Sequence, residues 1–134
     1  MRVRHPLIGR WFSCVALGMT WICVSGCSRG FHNAPVDGSK AIETLEAALE
    51  SWKKGDEVDT LQSGSPPIYV IDMEWKGGAK LKDFEIMSDG DEKDAHLFCP
   101  VTLTFGGGGG KEVKKQVTYI ISTAPNLTVA RKVF

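Results

Sequence analysis

Cys27 directly follows Val24-Ser25-Gly26, at the end of an apolar run over residues 11–24. Ser25 and Gly26 are small enough to enter a peptidase cleft. The thiol after them is a nucleophile that can carry a thioether-linked lipid. Five further features have side chains suited to chemistry. Cys99 is a thiol that would react only if its thiolate were stabilised and exposed. Asp89, Asp91, Glu92 and Asp94 supply the oxygen donors that hard cations take. His96 could act as a general base if an acidic or nucleophilic partner were in reach. Residues 106–110 are five glycines followed by Lys111, the composition of a phosphate loop. Trp52 and Trp75 are large aromatics of the kind that line small-molecule clefts.

Spacing removes most of these. A phosphate loop needs glycine where Phe105 stands and Ser or Thr where Glu112 stands. It also opens a helix, whereas this segment joins two strands and reads as a flexible hairpin tip. Counted from Asp89, the glycine and glutamate positions of an EF-hand hold Asp94 and Pro100. The acidic run therefore reads as a solvated turn. His96 falls on the outward side of a strand, as a surface residue. Cys99 alternates with Leu97, Val101 and Leu103 and reads as a buried, inert thiol. Trp52 and Trp75 fit the plug of a curved sheet, and a cleft lined by them is the candidate binding site. No residue is assigned a catalytic, cofactor or metal role.

The segment before Cys27 has three parts in order. Arg2, Arg4 and Arg10 form a basic start, and residues 11–24 form an apolar stretch of about 14 residues. That is short of the ~20 needed to span a bilayer, and Ser13, Gly18 and Thr20 dilute it. Arg2 and Arg4 are separated by Val3, so no twin-arginine pair exists. Val24-Ser25-Gly26-Cys27 resembles the bacterial lipobox. The resemblance implies a lipoprotein signal peptide over residues 1–26 and a diacylglycerol on Cys27, often with a third chain on its amine. It implies localisation to the cell envelope, anchored from outside the membrane. Two or more chains give stable anchoring, whereas one binds marginally. Ser28, rather than an acidic residue, follows the cysteine, which in some bacteria favours the outer membrane.

Removing the leader leaves 108 of 134 residues, enough for one small domain. The leader takes three of the 16 basic residues, leaving 13 against 16 acidic, a net charge of −3. Such a domain is a poor nucleic-acid binder, because that affinity rests on neutralised phosphates. Cys14 and Cys23 leave with the leader and Cys27 is lipidated, so only Cys99 remains and no internal disulfide forms.

The elements that position these groups follow from period. Residues 27–38 are the lipidated cysteine and a polar tether of ~11 residues, reaching at most about 35–40 Å. The domain occupies 39–134. Ser39 is the expected helix cap, with Asp37 competing. Ile42, Leu45, Leu49 and Trp52 make one apolar stripe flanked by Ala41 and Ala48, and Gly55 ends the helix. Strands are expected over 68–73, 80–87, 95–105, 111–123 and 127–133, with Trp75 and Gly77-Gly78 in a turn or one-turn helix. Pro100 inside a strand predicts an edge position or a bulge.

One helix followed by a run of strands indicates an α+β domain, a helix packed on a curved antiparallel sheet of 4–5 strands. This order is similar to the cystatin/NTF2-like family of cone shapes. Residues 63–86, with Ser-Gly-Ser-Pro-Pro-Ile, Ala-Lys-Leu and Phe-Glu-Ile, resemble uncharacterised planctomycete-type lipoproteins. The expected function is that of a non-enzymatic interaction or binding module. Its expected contacts are membrane lipid through Cys27 and an envelope protein or a homodimer mate. The alternative is a small-molecule binder or enzyme using a cavity between helix and sheet.

Overall fold

Apolar residues recurring every three or four positions become helix α1, Gly38–Lys54, in a computed structural model that describes residues 34–134. Ala41, Leu45, Ala48, Leu49 and Trp52 are all buried along one face, and Ile42 is half-buried beside them. The cap is Asp37, not Ser39: its carboxylate accepts from Lys40 N at 3.1 Å. Ser39 already lies inside the first turn. Val36 before the cap and Ala41 in the first turn are both buried, the two positions of a hydrophobic staple. Asp37 N also donates to Thr123 Oγ1 at 3.0 Å. Among the described residues packing therefore begins at Val36, inside the stretch read as a polar tether. At the other end Gly55 adopts φ +91°, which is open to glycine without strain. Gly55 N bonds Trp52 O and Asp56 N bonds Ser51 O, a Schellman stop.

A short 3-10 turn, Val58–Ser63, leads to β1, Ile68–Ile71. The single-turn helix α2, Met73–Lys76, follows. Then come β2 (Leu81–Ile86), β3 (Asp91–Lys93), β4 (His96–Gly106), β5 (Glu112–Ser122) and β6 (Leu127–Arg131). The strands form one sheet in the order β1-β6-β5-β4-β2, with β3 also on β4. The sheet curls over α1, giving an α+β fold. Inward residues of the long strands, Leu97, Cys99, Val101, Leu103, Tyr119 and Ile121, meet α1 in the core. Among the described residues no helix is long and apolar enough to cross a membrane.

Two expectations about the sheet are corrected. It is mixed rather than antiparallel, because β1 pairs parallel with β6 from Ile68↔Leu127 to Ile71↔Ala130. Alternation marks a strand's faces but not its direction, and a parallel pair needs a long crossover. Here the whole β2–β5 meander is that crossover. The sheet also has six strands rather than four or five, because part of the acidic run pairs with β4: Asp91↔Phe98, Glu92↔Leu97 and Lys93↔His96. The hairpin between them turns on Asp94 and Ala95, at φ 51° and 62°.

Pro100 lies on a central strand, and the ladder accommodates it. Its carbonyl accepts from Met87 N, so its ring nitrogen faces the junction where β4 changes partner from β2 to β3. Two residues of β4, 99 and 100, face four residues, 87–90, and the missing N–H falls in that bulge.

Candidate functional site

Trp52 and Trp75 come together although they lie on different helices. Their rings stack with centroids 5.3 Å apart and planes within 5°. Trp52 also meets Phe105 edge-on at 5.6 Å. Each indole N–H crosses to the other's neighbourhood. Trp52 Nε1 donates to Ala79 O at 2.7 Å, and Trp75 Nε1 donates to Asp56 O at 2.8 Å. Both residues are buried, at 2% and 5% exposure. Beside them lies an open cleft of about 400 Å³. It is formed by the segment after α1, with Asp56, Glu57, Val58 and Asp59, and the segment from α2 to β2, with Lys76 and Lys80.

A second constellation has no counterpart in the sequence reading. Asp72 follows β1 directly, and its side chain is fully buried. Oδ1 caps α2 by accepting from Glu74 N at 2.9 Å and Trp75 N at 3.2 Å. Oδ2 accepts from Tyr119 OH at 2.6 Å and lies 3.2 Å from Arg131 Nε. Arg131 Nη1 approaches Glu74 Oε2 at 2.9 Å, and Lys115 binds Glu74 Oε1. The Arg131 approaches are ionic rather than aligned hydrogen bonds. Arg131 Nε, Arg131 Nη2 and Glu74 Oε2 have no hydrogen-bond partner among the described residues.

Electrostatics acts strongly on Tyr119 and Glu74. Burial, and then the charge of Asp72 and its hydrogen bond, push the Tyr119 phenol far above its ordinary value. It therefore remains a donor and cannot serve as a base near neutrality. Burial is the largest single influence on Glu74 and would raise it. Lys115 and Arg131 together outweigh that and hold the carboxyl below the ordinary glutamate value. The cluster fastens the β1–α2 corner to β5 and β6. The signal that could have found it is an acidic residue at the end of β1, one place before a helix turn, with Tyr and Arg at inward strand positions.

The other candidates disperse. Cys99 is fully buried on β4, and its Sγ donates to Ser88 O at 3.4 Å. Burial, with Asp89 adding to it, raises the thiol's pKa. His96 is half-buried at the β3–β4 hairpin, opposite Lys93, and its Nδ1 has no partner among the described residues. The five glycines end β4 and join it to β5, with Gly107 N bonding Lys111 O at 2.7 Å. Among the described residues no group of three His, Cys, Asp or Glu side chains could hold a metal ion. Val24, Ser25, Gly26 and Cys27 lie outside the described residues. No protein-family model, curated protein or solved structure matches the chain.

Proposed function

We propose that the chain is a bacterial cell-envelope lipoprotein, anchored by a lipid on Cys27, whose mature part is a non-catalytic interaction or binding module. The observation that carries this reading is Val24-Ser25-Gly26-Cys27 at the end of a basic-then-apolar leader. The domain's chemistry supports the second half. The one described thiol is buried and its pKa raised, and the one buried carboxylate cluster is occupied by Arg131, Lys115 and Tyr119. With Val36 packed into the domain, residues 28–35 remain as tether, reaching about 26–29 Å when extended. We further read the helix-then-curled-sheet order as cystatin/NTF2-like, with the parallel β1–β6 pair as its departure from an all-antiparallel sheet.

Two surfaces suit a binding role. The outer face of the sheet carries Ile71, Ala130, Ile120 and Phe98 in register across four strands. Tyr69, Ile71 and Met73 are 40%, 60% and 72% exposed at its β1 edge. An apolar edge strand of this kind is a surface for an envelope protein or a second copy. The cleft beside Trp52 and Trp75 favours the other reading, a small-molecule binder. It lies at the end of α1 rather than between helix and sheet.

Mass spectrometry of the chain recovered from the membrane fraction of a bacterial host tests the proposal. The expected product begins at an acylated Cys27, and Cys27→Ala moves the protein to the soluble fraction. An intact Met1 or an unmodified Cys27 sulfur overturns it.

A further inference from the structure

The cleft beside the stacked indoles carries both signs of charge. The segment after α1 brings Glu57 and Asp59 to it, and the segment between α2 and β2 brings Lys76 and Lys80. Among the described residues, no ion pair joins those carboxylates to those ammonium groups. Pairing between exposed side chains gains little, so both sets of charges stay open to a guest. Here they remain apart, on segments that the indoles hold in place. Trp52 Nε1 grips Ala79 O on the basic segment, and Trp75 Nε1 grips Asp56 O on the acidic one. Two buried side chains therefore fix the backbone of both segments. Val58 and the two indoles add apolar lining.

We infer that this cleft is a binding site for a small zwitterion with an apolar side chain, of the amino acid or short-peptide class. The ligand's ammonium group lies toward Glu57 and Asp59, its carboxylate toward Lys76 and Lys80, and its apolar side chain against Val58 and the indoles. A volume of about 400 Å³ falls within the range of small-ligand pockets. The complementarity is directional: a cation alone meets the lysines, and an anion alone meets the carboxylates, so each is disfavoured at one side. The site deepens the binding-module reading above and rests on it, but it is independent of the lipid on Cys27.

The test is titration of the full chain with leucyl-alanine, followed by tryptophan fluorescence and calorimetry. N-acetyl-leucyl-alanine, which lacks the ammonium, and leucyl-alanine amide, which lacks the carboxylate, serve as paired controls. The expected result is saturable binding of the free dipeptide, with each blocked form weaker by about tenfold, the effect of one lost charge-assisted hydrogen bond. Glu57→Gln weakens the free dipeptide and the carboxylate-blocked form but leaves the ammonium-blocked form unchanged. Lys80→Gln does the reverse. These residues are exposed, so the variants are expected to fold, and an unchanged melting temperature confirms it. No response to about 10 mM dipeptide overturns the site, as does equal binding of all three compounds. Acylated Cys27 without dipeptide binding removes the site and leaves the envelope reading standing. Binding without acylation does the opposite.

Discussion

Tyr119 donates its phenol hydrogen to Asp72 Oδ2 at 2.6 Å, a bond between residues 47 positions apart. It ties the middle of β5 to the corner where β1 hands over to α2. Because Asp72 Oδ1 also caps α2, one carboxylate holds three elements together. Asp72→Ala removes the cap and leaves a buried phenol and guanidinium without their partner. The expected loss is about 3–5 kcal/mol, read from urea denaturation. Tyr119→Phe leaves Arg131 on the carboxylate and loses less, about 1–3 kcal/mol. Equal losses for the two variants would show that Asp72 does not bridge the elements.

The same bond has an alkaline signature. The folded pKa of Tyr119 is raised above its ordinary value of 10.0. Its contribution to stability is therefore complete below that pH and is lost as pH rises toward the folded value. Denaturation midpoints of the wild-type chain fall more steeply above pH about 10 than those of Tyr119→Phe. Parallel curves contradict this.

Glu74 gives the acid counterpart. Its folded pKa lies below the ordinary 4.5. The stability it supplies is complete above that value and is lost as pH falls through the folded one. Glu74→Gln flattens the acid limb of the stability profile, and high salt does so partly, because Lys115 and Glu74 remain partly exposed.

Trp75→Ala opens a void against Trp52 and frees Asp56 O, with an expected loss of about 3–5 kcal/mol. Trp75→Phe keeps part of the stack and loses the hydrogen bond. It should fall between Ala and wild type, and ranking below Ala would refute the packing account.

Ala95 sits at φ 62° in the turn that joins β3 to β4. A left-handed conformation costs a non-glycine residue roughly 1–2 kcal/mol. Ala95→Gly therefore stabilises the fold by about 0.5–1 kcal/mol once the extra flexibility of the unfolded chain is set against it, read as a higher urea midpoint at unchanged slope. A lower midpoint would mean that the turn is not strained.

Local pattern carried much of the fold. The stripe from Ile42 to Trp52 and the alternation from Leu97 to Leu103 report their own burial, because each period maps one face onto the core. What it could not report is which strand lies beside which. The pairing of Ile68 with Leu127 joins residues 59 positions apart, and nothing in either segment encodes the other's direction. Asp91–Lys93 was hidden for a related reason. Its three side chains are all exposed, so a strand there leaves no alternation to read. The Trp52–Trp75 pair was visible as two aromatics, and the charged cleft beside it was not. The cleft exists only because indole hydrogen bonds bring residues 56–59 and 76–80 to the same place. The Asp72 cluster gathers residues from positions 72 to 131, each unexceptional alone.

The parallel seam between β1 and β6 also sets an order of events. β1 is made before the other strands, and among the described residues its one strand partner lies more than fifty residues further on. A chain emerging amino end first, from a ribosome or through a translocation pore, holds Ile68–Ile71 without its neighbour until residue 131 has followed. Closure of the sheet is thus a terminal step, and any nascent chain cut short of β6 presents a bare strand to the chaperones and proteases around it.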